Sequence, residues 1–219
     1  MKSLILYLVN NFRSNGYIFG SFILLSRFNQ TLRSKLFSIV LKASFIRLGP
    51  RCNISGIRFI QFGKGIKVNG SLWLQAVTHY NGSIYNPHIT IGDRVAFSNN
   101  VHITAIKSIA IGNDVLFGSN VYISDHNHGG YSGEFQSLPE TPPAKRELIF
   151  RGDVIIQDNV WFGDNVNVVG PVHIGYGAVI AANSVIRSDI PAHTIVAGAP
   201  AKIIKKFNHH SKKWDPNVK

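Results

Sequence analysis

The chain has 219 residues, a single Cys, 45% hydrophobic and 16% charged residues. These values exclude a disordered chain, a disulfide framework and a Cys-based zinc site. Formal net charge is +12, and eleven Lys and Arg residues precede the first acidic residue, Asp93. That imbalance suits an anionic partner such as a membrane surface or a nucleotide. No nucleic-acid-binding motif accompanies it, so nucleic acid is not expected as a partner.

Residues 1–49 form a basic, apolar N-terminal segment, with clusters Tyr17–Leu25 and Leu36–Ile46 among Arg13, Arg27, Arg33, Lys35, Lys42 and Arg47. The pattern predicts one to three helices. No apolar run approaches the roughly 20 residues that span a bilayer, and no signal-peptide pattern is evident. Two readings stand: a cap on the open end of the next domain, or an amphipathic segment lying on an anionic membrane.

From residue 154 the chain divides into hexads: VIIQDN, VWFGDN, VNVVGP, VHIGYG, AVIAAN, SVIRSD, IPAHTI, VAGAPA. Their leading residues are Val154, Val160, Val166, Val172, Ala178, Ser184, Ile190 and Val196. The same period opens at Ile89, Val95 and Val101, slips by two at Lys107 and Ser108, and resumes at Ile109, Val115 and Val121. A weaker set begins at Ile54, Ile60, Ile66 and Leu72. A six-residue spacing fits neither a helix nor an alternating strand. It predicts a coil in which each hexad supplies a short strand and a corner, aliphatic residues stack inward, and Gly or Asn takes the corners. Three hexads close one turn.

Residues 127–152 interrupt this coil, and their prolines and glycines predict a loop without regular structure. A loop ejected from a rigid solenoid is a common place for function. Residues 207–219 form a polar, basic tail expected to be loosely ordered.

These hexads resemble the hexapeptide-repeat transferase superfamily over residues 50–206. The resemblance implies an all-β fold, a left-handed parallel β-helix, with residues 1–49 as a short helical N-terminal segment. It implies an acyltransferase, an acetyl-CoA:sugar O-acetyltransferase of the galactoside, maltose and polysaccharide type. The acyl donor would be acetyl-CoA, with no metal, and the assembly a homotrimer with sites between subunits. The basic, apolar N-terminus fits enzymes of bacterial surface polysaccharide biosynthesis, such as O-antigen, capsule or exopolysaccharide. The expected location is the cytoplasm, with peripheral contact at the inner face of the membrane.

The run VYISDHNHGGY resembles the family segment that carries the catalytic histidine before such a loop, and the matching residue is His126. An imidazole titrates near neutral pH and suits the base that takes the acceptor proton. His128 is the rival. Asp125 could orient the ring, although adjacent residues usually point apart. VAFSNN resembles an acceptor-contacting segment, which nominates Ser98 and Asn100, with a plain corner role for Asn100 equally open. VWFGDN and the closing run AVIAANSVIRSDIPAHTIVAGAPAKIIKKF resemble the family's CoA-binding coils. They nominate Trp161, Gly163, Asp164, Ala182, Arg187, Lys202 and Lys205 for CoA, with backbone near Gly163, Ala182 and Arg187 lining the pantetheine arm and Lys202 and Lys205 facing the phosphates. Lys202 could instead be a solvated surface lysine, and for Trp161 partial burial at a subunit contact is equally open. The other histidines, His79 and His102 among them, receive no role. Alternatives are N-acetylation of an amino-sugar nucleotide, a non-catalytic β-helix scaffold, and a carbonic-anhydrase-like β-helix, whose three histidine ligands the spacing here does not match. The sequence does not name the acceptor sugar or the hydroxyl acylated.

Overall fold

The computed structural model describes residues 2–40, 45–134 and 136–216. Residues 41–44 with Lys42, residue 135 of the loop and residues 217–219 of the tail lie outside the described residues.

The hexads coil into a three-faced parallel β-helix. One face contains Ile60–Phe62, His88–Ile91, Ser108–Ile111, Val154–Ile156 and Val172–Ile174. The second contains Lys67–Val68, Ala96–Phe97, Leu116–Phe117, Trp161–Phe162, Val179–Ile180 and Thr194–Gly198. The third contains Arg51–Ser55, Ser71–Ala76, Val101–Ala105, Tyr122–Ser124, Asn167–Val169 and Val185–Ile186. The chain passes through the faces in that order on every turn. Register is strict: Ile89, Ile109, Val154 and Val172 stand opposite one another in adjacent strands.

First and third positions of the hexads point inward through Ile186; the last two hexads are corrected, because the phase slips by two so that Ile190 and Val196 stand opposite the third-position residues Ile174 and Ile180, Thr194 is buried, and Ala192 and Gly198 are exposed. Val95, Val115, Val160 and Ala178 are buried, and so are Phe97, Phe117, Phe162 and Ile180. Phe97, Phe117 and Phe162 form a stacked spine, with centroids 4.9 and 4.8 Å apart and planes within 6° and 4° of parallel. Corners between the second and third faces fall on Asn100, Asn120, Asn165 and Asn183, with φ from 53° to 62°. Asparagine tolerates this left-handed conformation. It also links the corners, because each side-chain amide donates to the next oxygen: Asn100 to Asn120 (2.8 Å), Asn120 to Asn165 (2.9 Å), Asn165 to Asn183 (3.1 Å).

The N-terminal helix runs Lys2–Val40 and is broken at Gly16 (φ 70°, ψ 171°), so two helical segments meet there. Its second segment caps the coil. Ser34 Oγ accepts from Leu48 N (2.9 Å), Ser38 Oγ accepts from Ile46 N (3.0 Å), and Phe37 packs edge-on against Phe62. The rest of the helix exposes Tyr17, Ile18, Phe22 and Phe28. No described helix is long and apolar enough to cross a membrane.

Two further expectations are corrected. The loop is not wholly irregular: His126–His128 and Leu148–Phe150 pair antiparallel at its neck, and Pro143–Lys145 forms a 3-10 turn. The tail is not loose over its described part. Ala201–Asn208 returns antiparallel along Thr194–Gly198, and Lys213–Pro216 pairs with it, Phe207 lying edge-on to Trp214.

Candidate active site

The third face ends at a corner where the phase slip and the loop coincide. The slip leaves the N–H groups of Ile106, Lys107 and Ser108 pointing at Asp125. They donate to its carboxylate at 3.0, 2.8 and 2.8 Å. Asp125 is fully buried. A bend at Asp125 separates Tyr122–Ser124 from the neck strand, so strand alternation does not apply across it. Asp125 Oδ1 consequently lies 2.8 Å from Nδ1 of its neighbour, His126. The sequence-based expectation that these side chains diverge fails for this reason.

The dyad fixes a tautomer. The carboxylate can only accept, so Nδ1–H of His126 donates to it and Nε2 keeps its lone pair. Ser124 Oγ adds a second clamp, accepting from His126 N at 3.1 Å and donating to His126 O at 2.8 Å. His128 is held differently: its Nδ1 meets Tyr80 Oη at 3.3 Å, while Tyr80 donates to Ala144 O at 2.8 Å. Both imidazoles have a free Nε2, but only that of His126 is backed by a carboxylate.

His126 and His128 line one groove of about 400 Å³, within the range of small-molecule sites. Its floor is the outer surface of the third face, where Trp73, His102 and Tyr122 occupy one register row. Its roof is the loop neck and the Tyr80 hairpin, tied together by Asn81 Nδ2 donating to Ala144 O (2.6 Å) and Leu148 N donating to Tyr85 Oη (3.1 Å). His102, to which the sequence assigned nothing, is a floor residue. Burial first, and the nearby His126 second, push its pKa below the ordinary value. His79 also lines the groove. Facing outward in register with Trp73 and Tyr122 was the available signal for His102; hexads with their inward positions do not display it.

The remaining predicted residues lie elsewhere. Ser98 and Asn100 sit at the corner opening the third face and do not line the groove. One strand, Val101–Ala105, separates that corner from the Asp125 corner, roughly 15 Å at 3.3 Å per residue. Gly163, Asp164 and Ala182 share the Asn100 corner column. A Cβ on Gly163 would meet Ala182 N at 2.7 Å, and Asp164 Oδ1 accepts from Ser119 N at 2.6 Å. Trp161 projects from the second face, half exposed, between Leu116 and Val179. Arg187 lies exposed at the far end of the third face. Lys202 and Lys205 lie exposed on the returning strand, opposite Ala197 and Ile195. Within one chain, the corner column of Gly163, Asp164 and Ala182 therefore lies apart from the Asp125–His126 corner, whereas Arg187, next after Ile186 in the row of Ile123 and Val168, ends the third face on the His126 side. Among the described residues, no group of three or more His, Cys, Asp or Glu side chains could hold a metal ion.

Comparison with known proteins agrees with this architecture. Residues 153–188 match the family "Bacterial transferase hexapeptide (six repeats)". An Escherichia coli K12 protein named for an assignment to lipopolysaccharide biosynthesis as an O-acetyl transferase, WbbJ, is 41% identical over 165 residues, 75% of this chain and 80% of its own. The galactoside O-acetyltransferase of Lactococcus lactis is 30% identical over 204 residues, 88% of this chain and 83% of its own. A crystal structure of the Bacillus cereus N-acyltransferase AntD, a point mutant in complex with dTDP and coenzyme A, shares the fold, with TM-score 0.57 and 16% identity over 77% of this chain and 84% of its own. The chain is a left-handed parallel β-helix and belongs to the hexapeptide-repeat acyltransferases, an enzyme family whose members named here transfer acyl groups.

Proposed function

We propose that this enzyme transfers an acetyl group from acetyl-CoA to a saccharide hydroxyl during assembly of a bacterial surface polysaccharide, with His126 as general base. One observation carries the reading: a carboxylate-backed imidazole whose free Nε2 belongs to a groove. The acceptor hydroxyl gives its proton to Nε2 as its oxygen attacks the thioester carbonyl. The tetrahedral oxyanion then collapses, the C–S bond breaks, and the departing sulfur takes the proton back from the imidazolium as free CoA. Asp125 holds the ring and stabilises its transient positive charge. The names of the Escherichia coli and Lactococcus lactis relatives support O-acetylation.

The donor would lie along the corner column of Gly163, Asp164 and Ala182 beside Trp161, with Arg187 along its pantetheine arm and Lys202 and Lys205 available to phosphates. The split between two corners favours a homotrimer, in which one subunit's donor column meets its neighbour's His126. Ser98 and Asn100 would then approach the acceptor from that neighbouring column. The helix beyond the cap exposes apolar side chains beside Arg13 and Arg27 with no acidic residue. It would rest on an anionic membrane surface from the cytoplasmic side. Co-sedimentation with phosphatidylglycerol vesicles but not with phosphatidylcholine vesicles is the expected result, and equal partition to neither removes the membrane contact.

The reaction is tested by CoA release, followed with a thiol reagent across sugars, sugar nucleotides and envelope glycans. Burial pushes the thiol of half-buried Cys52 above its ordinary pKa, so slow reaction of the protein's own cysteine with the reagent is expected, and the protein without acetyl-CoA serves as the blank. His126→Ala is expected to lose at least ~100-fold in kcat with the productive acceptor. Equal rates for both proteins would move the base to His128. No turnover by the wild type with any acceptor would refute acetyl transfer and favour a scaffold.

A further inference from the structure

The groove floor carries information that the base does not. Trp73, His102 and Tyr122 project outward from adjacent strands in one register row. Trp73 and His102 stack with centroids 4.2 Å apart and planes 6° from parallel, and Tyr122 meets His102 edge-on at 5.2 Å. Trp73 remains 45% exposed. A half-exposed tryptophan fixed by an aromatic neighbour is a rigid apolar platform with low ordering cost on binding.

Beside it sits an unmet polar atom. His102 Nε2 is buried and has no hydrogen-bond partner among the described residues. An unpaired buried atom of this kind is destabilising, and a small shift of the ring would bring it within reach of a ligand hydroxyl. The depressed pKa keeps the ring neutral at physiological pH, so the two nitrogens offer one donor and one acceptor, as a hydroxyl requires.

Charge narrows the ligand further. The protein as a whole carries +12. Yet none of the described residues lining the groove is Lys, Arg, Asp or Glu; its polar members are neutral, Gln75, Thr104 and Asn127 besides the aromatic and histidine side chains. A diphosphate buried there would meet no Lys or Arg side chain among this subunit's described lining residues, and little there would offset its desolvation. A neutral sugar ring combines an apolar C–H surface for Trp73 with hydroxyls for His102, Gln75 and Thr104.

From this geometry we infer that the Trp73–His102–Tyr122 row is the acceptor subsite and that the acetylated residue is an uncharged sugar of a glycan or glycoside rather than of a nucleoside-diphosphate sugar. The inference rests on the saccharide-acceptor reading and deepens it. Trp73 and His102 would set acceptor binding without taking part in proton transfer.

The test uses full-length protein and two probe sets: methyl glycosides of the common hexoses, and the corresponding UDP-hexoses. Binding is read by saturation-transfer NMR, which needs no turnover, and KM is read separately for acceptor and for acetyl-CoA. At least one methyl glycoside should bind and should be preferred over its UDP counterpart. Trp73→Ala and His102→Phe should each raise the acceptor KM roughly 10-fold, the scale of one lost contact, while the KM for acetyl-CoA holds. Trp73→Phe should recover most of the binding, which separates a lost platform from misfolding. Preference for UDP-hexoses, or unchanged acceptor KM and glycoside binding in both variants, overturns the subsite. Glycoside binding that Trp73→Ala abolishes, in a protein that never releases CoA, would uphold the subsite and refute acetyl transfer instead.

Discussion

Asp125→Asn is expected to lower kcat by roughly 10²- to 10⁴-fold while also destabilising the fold. Both effects follow from four donors meeting one carboxylate. Oδ1 takes Ile106 N–H and His126 Nδ1–H, and Oδ2 takes Lys107 N–H and Ser108 N–H. An asparagine must place its NH₂ on one side or the other, so either orientation sets a donor against two donors at a fully buried site. If the amide faces His126, the imidazole must move its proton to Nε2 and can no longer accept one from substrate. If it faces Lys107 and Ser108, two partly buried N–H groups lose their acceptor. The stability cost is about 2–5 kcal/mol, measurable by denaturant unfolding. Under conditions where the variant is fully folded, the kcat loss should persist with little change in the KM for acetyl-CoA. Wild-type kcat in a folded Asp125→Asn protein would mean that His126 needs no carboxylate, and the dyad would lose its catalytic meaning.

Phe117→Ala is expected to cost about 3–5 kcal/mol and to lower Tm by on the order of 10 °C. Phe117 is the middle ring of three, with Phe97 on one side and Phe162 on the other, and all three are fully buried. The coil cannot collapse onto the missing ring, because parallel ladders on every face fix the spacing of successive turns. The cavity therefore persists. Leu116→Ala is the control: it lies next in sequence but projects outward, 44% exposed. Similar Tm shifts for the two variants would show that the spine contributes no more than a surface side chain.

Most of the fold was legible because a six-residue period repeats one simple decision many times. Each Val, Ile or Phe in phase must be inside, and each Asn in phase must turn a corner, so local errors do not accumulate. The weak early set illustrates this, since Ile60, Ile66 and Leu72 are buried as the spacing predicted, and Ile54, at its start, is partly buried and packs against the core. The site was less legible. His126 could be nominated from its segment, but the partnership with Asp125 depends on a bend that breaks strand alternation and on a two-residue slip one turn earlier. The slip was visible in the sequence; that its three N–H groups converge on one carboxylate was not. His102 and Trp73 escaped notice because their role comes from register between strands 29 residues apart. The tail misled for a related reason: its composition is polar, yet Phe207 and Trp214 pair across a hairpin.

The loop enters and leaves the coil without disturbing it. Ile109 still stands opposite Val154 although the whole loop lies between them, and the antiparallel neck His126–His128 with Leu148–Phe150 fixes the distance between its ends. Closing a longer loop adds only about 0.6 kcal/mol per doubling of length. The loop therefore behaves as a cassette on an indifferent chassis. Its sequence and length can drift, or be grafted from a relative, while the solenoid, the dyad at its root and the stacking rows below stay unaltered. Selection for new acceptors can thus act on the roof of the groove at little cost to folding.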